Sequence, residues 1–253
     1  MRLTVLGCSG SVPGPHAAAS GYLIQVGGTH VVLDLGNGSF GALQRYLDPF
    51  TLDALALSHL HPDHCADVSA LTVYRRYHPH PPPVPPLPVY GPAGTAERLV
   101  AAYAPSAAER AVTDLSDVYD FRGYTTPARI GPVRLRAAPV EHSCEAYALR
   151  LDAAGRALVY SGDTGPCRQL VELATGADVL LAEASWPDRL DNPRGIHLSG
   201  RQAGAAAAAA GVGRLLITHV PPWTDPAQML AEAETAFTGP TELVHPGTCY
   251  WIG

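Results

Sequence analysis

Between Ser58 and Cys65 the chain reads His59-Leu60-His61-Pro62-Asp63-His64, three imidazoles and one carboxylate within six residues. A hydrophobic core does not hold such a group. Each buried imidazole needs a partner for both ring nitrogens, and a buried aspartate costs several kcal/mol unless a charge or a metal compensates it. The competing reading is an exposed histidine-rich loop, which the density of ligand-type residues disfavours. The spacing predicts two cations. His59 and His61 converge on one from the loop, while Asp63 and His64, at the start of the next helix, turn toward a second. More donors stand where other strands end: His142 after the segment Val133–Val140, Asp163 in Ser161-Gly162-Asp163-Thr164-Gly165, and His219 after Leu215–Thr218. Strand ends are where sites of α/β proteins are assembled. We therefore expect His59, His61 and His142 on one ion, Asp63, His64 and His219 on the other, and Asp163 between them. His245 is the rival to His219, but Pro246-Gly247 after it reads as a turn. Imidazole-rich sites favour zinc, with manganese and iron as the other candidates. Two divalent ions outweigh the two carboxylates, so the site should attract a monoanionic phosphodiester.

The elements that must position these residues read as a sheet protein with covering helices. Arg2–Gly7, Gly21–Val26, His30–Leu35 and Ala54–Ser58 are short apolar or alternating runs broken by Gly, Pro or Asn, as are Val133–Ala137, Tyr147–Leu151, Ala157–Ser161, Val179–Glu183 and Leu215–Thr218. Phe40–Leu47, Asp63–Tyr77, Thr95–Tyr103, Leu170–Ala174, Ser199–Ala210 and Ala227–Phe237 have helical character. The stretch from Pro79 to Pro88 should be an extended surface loop. Strands open each half, helices follow and no linker divides them. This predicts one domain over 1–253, an α/β sandwich of two sheets flanked by helices.

Composition narrows the partners. There are 253 residues, 47% hydrophobic and 16% charged, with a net charge of −6. All 17 basic residues are arginine. With no lysine, Schiff-base chemistry and a P-loop are excluded. The negative balance and the lack of a basic run longer than Arg75-Arg76 disfavour long nucleic acid. Five scattered cysteines without a CxxC spacing fit a reduced, cytoplasmic protein, and neither an export signal nor a membrane span is legible. Ser9-Gly10-Ser11 could donate hydrogen bonds to a phosphate, and Trp223 or Tyr22 could stack a base, although each also reads as ordinary packing.

The pattern His59-x-His61-x-Asp63-His64, then His142, Gly162-Asp163-Thr164 and His219, resembles the metallo-β-lactamase fold, an αββα sandwich with a dinuclear metal site. Leu6-Gly7-Cys8-Ser9-Gly10-Ser11, Glu183-Ala184-Ser185, His197-Leu198-Ser199 and Leu216-Ile217-Thr218-His219 are similar in order and spacing to segments of ribonuclease Z. In that group the late histidine protonates the leaving oxygen and a nearby glutamate orients it, roles that fall here on His197 and Glu183. Ribonuclease Z carries a long arm that grips transfer RNA between the third histidine ligand and the bridging aspartate. Here only 21 positions separate His142 from Asp163, most of them already strand. The chain is most similar to the armless, ribonuclease Z-like cyclic-nucleotide phosphodiesterases, including Val73-Tyr74-Arg75-Arg76-Tyr77-His78-Pro79 and Thr218-His219-Val220-Pro221-Pro222-Trp223. The resemblance implies a zinc-dependent hydrolase for a small phosphodiester such as cAMP, with Asp63 orienting the attacking water, and a homodimer. An RNA 3′-end nuclease and a thioester or lactone hydrolase of the same fold are the alternatives.

Overall fold

Fourteen strands pair into two mixed sheets of seven in the computed structural model, which describes residues 1–253. One sheet runs, in spatial order, Cys249–Trp251, Arg2–Gly7, Gly21–Val26, Thr29–Leu35, Ala54–Ala56, Leu87–Gly91, Tyr119–Gly123. The other runs Thr241–Leu243, Arg214–Thr218, Val179–Glu183, Arg156–Tyr160, Tyr147–Ala153, Val133–Pro139, Ala128–Ile130. Each sheet is antiparallel on one side and parallel on the other, and the ligand-type residues follow strands of the parallel side except His142, which follows the antiparallel strand Val133–Pro139.

The strands are apolar on both faces because both faces are covered. Leu216 joins the core between the sheets, whereas its neighbours Leu215 and Ile217 pack under the outer helices. Leu33 and Val32 divide in the same way in the first sheet. Helices Val68–Tyr77 and Thr95–Tyr103 cover that sheet, and Arg168–Ala174, Gly200–Ala210 and Pro226–Glu234 cover the second. The layers are therefore helix, sheet, sheet, helix, as expected. Helix Gly200–Ala210 starts with a reciprocal cap, Ser199 Oγ accepting from the Gln202 amide and the Gln202 side chain accepting from Ser199 N. Its alanines are not filler: Ala203, Ala207 and Ala210 let the helix lie close against the sheet and against Met229 and Ala233 of the next helix. No helix is long and apolar enough to cross a membrane.

Several boundaries differ from expectation. The helical stretch Asp63–Tyr77 is two helices, Pro62–Cys65 and Val68–Tyr77, because Asp67 at the junction is tied back to the first sheet, its N–H donating to Leu35 O and its carboxylate accepting from Phe40 N. The proline-rich stretch ends earlier than Pro88, since Leu87 and Pro88 begin the strand Leu87–Gly91. Helix Ser39–Leu43 is shorter than Phe40–Leu47. Edge strands Ala128–Ile130, Thr241–Leu243 and Cys249–Trp251 have three residues each, too few to show an alternation.

Candidate metal centre

His59 and His61 leave the end of strand Ala54–Ala56, and His142 lies beyond the end of strand Val133–Pro139. Their ring nitrogens converge: His59 Nε2 and His142 Nε2 lie 3.0 and 3.1 Å from His61 Nδ1. Asp63 and His64, on the short helix, meet His219 from the far sheet, with His64 Nε2 3.2 Å from His219 Nε2 and His219 Nε2 3.2 Å from Asp63 Oδ2. Asp163 spans both groups. Its Oδ1 lies 3.2 Å from His64 Nε2 and 3.3 Å from His219 Nε2, its Oδ2 3.7 Å from His59 Nε2. The structure thus brings together all seven residues singled out as ligands, in the partition expected from their spacing. His245 is exposed and stands outside this cluster.

The rings are aimed by their outer nitrogens. His59 Nδ1 donates to Ser58 Oγ at 3.1 Å, His64 Nδ1 to Asp34 Oδ2 at 2.7 Å, His142 Nδ1 to Ile196 O at 2.8 Å, and His219 Nδ1 to Ser185 Oγ at 3.0 Å. Each of these bonds fixes the tautomer that leaves Nε2 with a lone pair facing inward, the arrangement metal-binding histidines require. His61 is the exception, presenting Nδ1.

Charge tests whether cations fit. Asp34, Asp63, Asp163 and Glu183 are all buried, and none of them is paired with an arginine. Asp163 Oδ1 is buried without a hydrogen-bond partner. Burial opposes protonation of His64, yet Asp163 and Asp34 outweigh it and hold its pKa well above the usual imidazole value. Burial likewise works against the charge of Asp163, and His219, His64 and His59 overcome it, keeping the carboxylate well below its ordinary range. Burial and the neighbouring imidazoles instead push His59 and His61 down, so these two rings do not supply the positive charge that the buried carboxylates call for; divalent cations do, and the N/O donor set suits zinc, manganese or iron.

Sequence reasoning missed Asp34. It ends strand Thr29–Leu35 in a left-handed conformation, φ 55°, and accepts from Ser58 N and Ser58 Oγ at 2.7 Å each and from Tyr160 OH at 2.8 Å, besides His64. His219, φ 56°, is strained in the same sense. Such strain persists only where surrounding contacts over-determine it. The available signal was a single carboxylate inside the apolar run Val31-Val32-Leu33-Asp34-Leu35. Asp34→Asn, which keeps the volume but turns one acceptor into a donor, is expected to weaken metal affinity roughly 10–100-fold. Competition with a chelator followed by metal analysis measures this, and unchanged affinity would show that His64 is held by other contacts.

Glu183 and His197 sit at the rim. His197 Nδ1 donates to Glu183 Oε1 at 2.9 Å, the same oxygen accepts from Thr164 N at 2.7 Å, and Glu183 Oε2 accepts from Ser185 Oγ at 2.7 Å. Glu183, His197 and His219 are close enough to be taken for a third metal group. With both its oxygens engaged, Glu183 is better placed to anchor His197 than to ligate. Burial disfavours the imidazolium, but Glu183 outweighs it and pushes the His197 pKa up to about 9.

The remaining candidates are structural. Tyr22 is buried, its hydroxyl 2.7 Å from Thr218 Oγ1. Arg75 donates to Pro85 O and Arg76 to Asp117 and Asp114 O. Ser9 Oγ donates to Val12 O and Gly10 N to Val220 O. Gly10 is required: a Cβ there would lie 2.3 Å from His219 O and 2.9 Å from its Nδ1.

Known proteins resemble this chain over nearly its whole length. The model of the beta-lactamase superfamily domain matches residues 29–220. An uncharacterised protein of Mycobacterium leprae is 50% identical over 256 residues, covering 100% of this chain and 89% of that one. Ribonuclease Z of Mycobacterium avium is 34% identical over 274 residues, covering 96% and 95%. The crystal structure of YhfI, a metallo-β-lactamase fold protein of Bacillus subtilis, superposes with a TM-score of 0.86 at 27% identity, covering 99% of each chain. Family match, sandwich and ligand-rich strand ends together place the chain in the β-lactamase superfamily, as a metal-dependent hydrolase of the metallo-β-lactamase fold in its ribonuclease Z-like group.

Proposed function

We propose that this chain hydrolyses a small phosphodiester, first among them a cyclic nucleotide such as cAMP, with two divalent cations, zinc before manganese or iron. The observation that carries the reading is His197, held by Glu183 beside the seven-residue cluster with Nε2 making no hydrogen bond within the chain. When bound, the cations would supply Lewis-acid charge for the phosphoryl oxygens and lower the pKa of a water toward ~7. Asp63, with its Oδ2 facing the second group, orients that water. His197 gives its proton to the leaving ribose oxygen, and Glu183 stabilises the imidazolium before transfer and keeps Nδ1 turned away from the substrate. A thioester needs no such acid, because a thiolate leaves without a proton.

Substrate size follows from two further features. Between His142 and Asp163 the chain forms the hairpin Tyr147–Ala153 and Arg156–Tyr160, turned by Ala154 and Gly155 alone, both at positive φ. No arm is built there. Eight of the 17 arginines are ion-paired with carboxylates, which further reduces their capacity to bind an RNA backbone. A turnover panel at low salt tests the reading, comparing cAMP, cGMP, 2′,3′-cyclic nucleotides, a precursor tRNA, a thioester and a lactone. Cyclic nucleotides are expected to be hydrolysed and the tRNA cleaved poorly. Efficient tRNA cleavage without cyclic-nucleotide turnover, or a preference for the thioester or lactone, would overturn it.

A further inference from the structure

A groove of about 540 Å³ opens outside the metal centre, with Ser185 and His197 at its inner end. Two indoles line it. Trp186 is committed to His197, their ring centroids 5.1 Å apart at 84°. Trp223 is not committed. It is 69% exposed, packs on no other aromatic ring and makes no hydrogen bond, and it follows Pro221-Pro222, which restrict the backbone that presents it. Arg189, also on the groove wall, forms neither an ion pair nor a hydrogen bond, unlike most arginines of this chain. The rest of the wall is largely polar, Asn192, Thr224 and Gln228 among it. An acyl chain would cover the Arg189 guanidinium without giving it an acceptor, whereas a planar heterocycle offers a face to the indole and ring acceptors to the guanidinium.

We propose that Trp223 is the platform on which the substrate's nucleobase stacks, with Arg189 donating to the base's ring acceptors. The assignment rests on the phosphodiester reading of the adjoining site and names what selects among phosphodiesters. Base–aromatic stacking corresponds to an affinity change of about 5- to 150-fold on loss of the ring.

Calorimetry on the metal-loaded enzyme, with AMP and ribose 5-phosphate as probes, isolates the base because the two differ only by it. The wild-type chain is expected to bind AMP more tightly. Trp223→Ala should cut the AMP to ribose 5-phosphate affinity ratio by about 5- to 150-fold, Trp223→Phe should retain most of it, and Arg189→Ala should lower it less. Equal affinities in the wild type, or a ratio that Trp223→Ala leaves unchanged, overturn the platform. The two readings fail separately: a chain that binds AMP through Trp223 but does not hydrolyse cAMP loses the proposed reaction and keeps the platform.

Discussion

Replacing His197 with alanine is expected to slow cAMP hydrolysis by about 10²–10⁴-fold while leaving bis-nitrophenyl phosphate hydrolysis within about tenfold. The difference lies in the leaving group. A ribose alkoxide needs a proton as its bond to phosphorus breaks, and a nitrophenolate departs without one. In the proposed reaction His197 supplies that proton: Glu183, buried and engaged on both oxygens, fixes Nδ1 and pushes the ring's pKa up to about 9. Metal content should not change, since His197 Nδ1 is taken by Glu183 and His197 lies outside the two groups built on His59 and His64. Steady-state rates on both substrates, with metal analysis of the same preparations, check this. Equal losses on both, accompanied by loss of metal, would make His197 a ligand. No loss on either would make it an ordinary rim histidine and remove the main support for phosphodiester chemistry.

Asp163→Ala should have the opposite signature. Its two oxygens face different groups, and Oδ1 has no hydrogen-bond partner in the chain, so its removal deprives both groups of a donor at once. Losses in the outer shell of a metal site cost about 10–100-fold in affinity. A shared inner donor should cost more than that upper figure, and the bound metal should fall from two ions per chain to below one. Activity should fall together on cAMP and on the nitrophenyl ester, because leaving-group assistance is not what has been lost. Elemental analysis beside rates on both substrates reads the result. Full metal content in Asp163→Ala with retained activity would show that the two groups do not share this carboxylate, and one-metal chemistry would have to replace the two-metal reading.

Most of the longer strands inside the sheets were legible because they are buried on both faces and therefore rich in apolar residues. Arg2–Gly7, Gly21–Val26 and Val179–Glu183 coincide with the expected spans. Leu87–Gly91 was hidden by the prolines before it, one of which it contains, and the three-residue edge strands were too short to carry a period. The seven clustered residues were legible for a different reason. Histidine and aspartate at the ends of apolar runs conflict with burial unless something compensates them, and that conflict can be read without coordinates.

Type and position along the chain therefore determined which side chains could form a site and which strands would carry them. Only the tertiary structure decided how those side chains are held. Asp34 joins His64 across 30 positions and Tyr160 across 126. Ser185 ties Glu183 to His219, and Trp186 rests on His197. These contacts follow no local period, because Asp34 and Tyr160 meet only when the two sheets close on each other, and the others join loops brought together at the ends of separate strands. A polar residue's partner is set by that closure, whereas its need for a partner is set by its own chemistry.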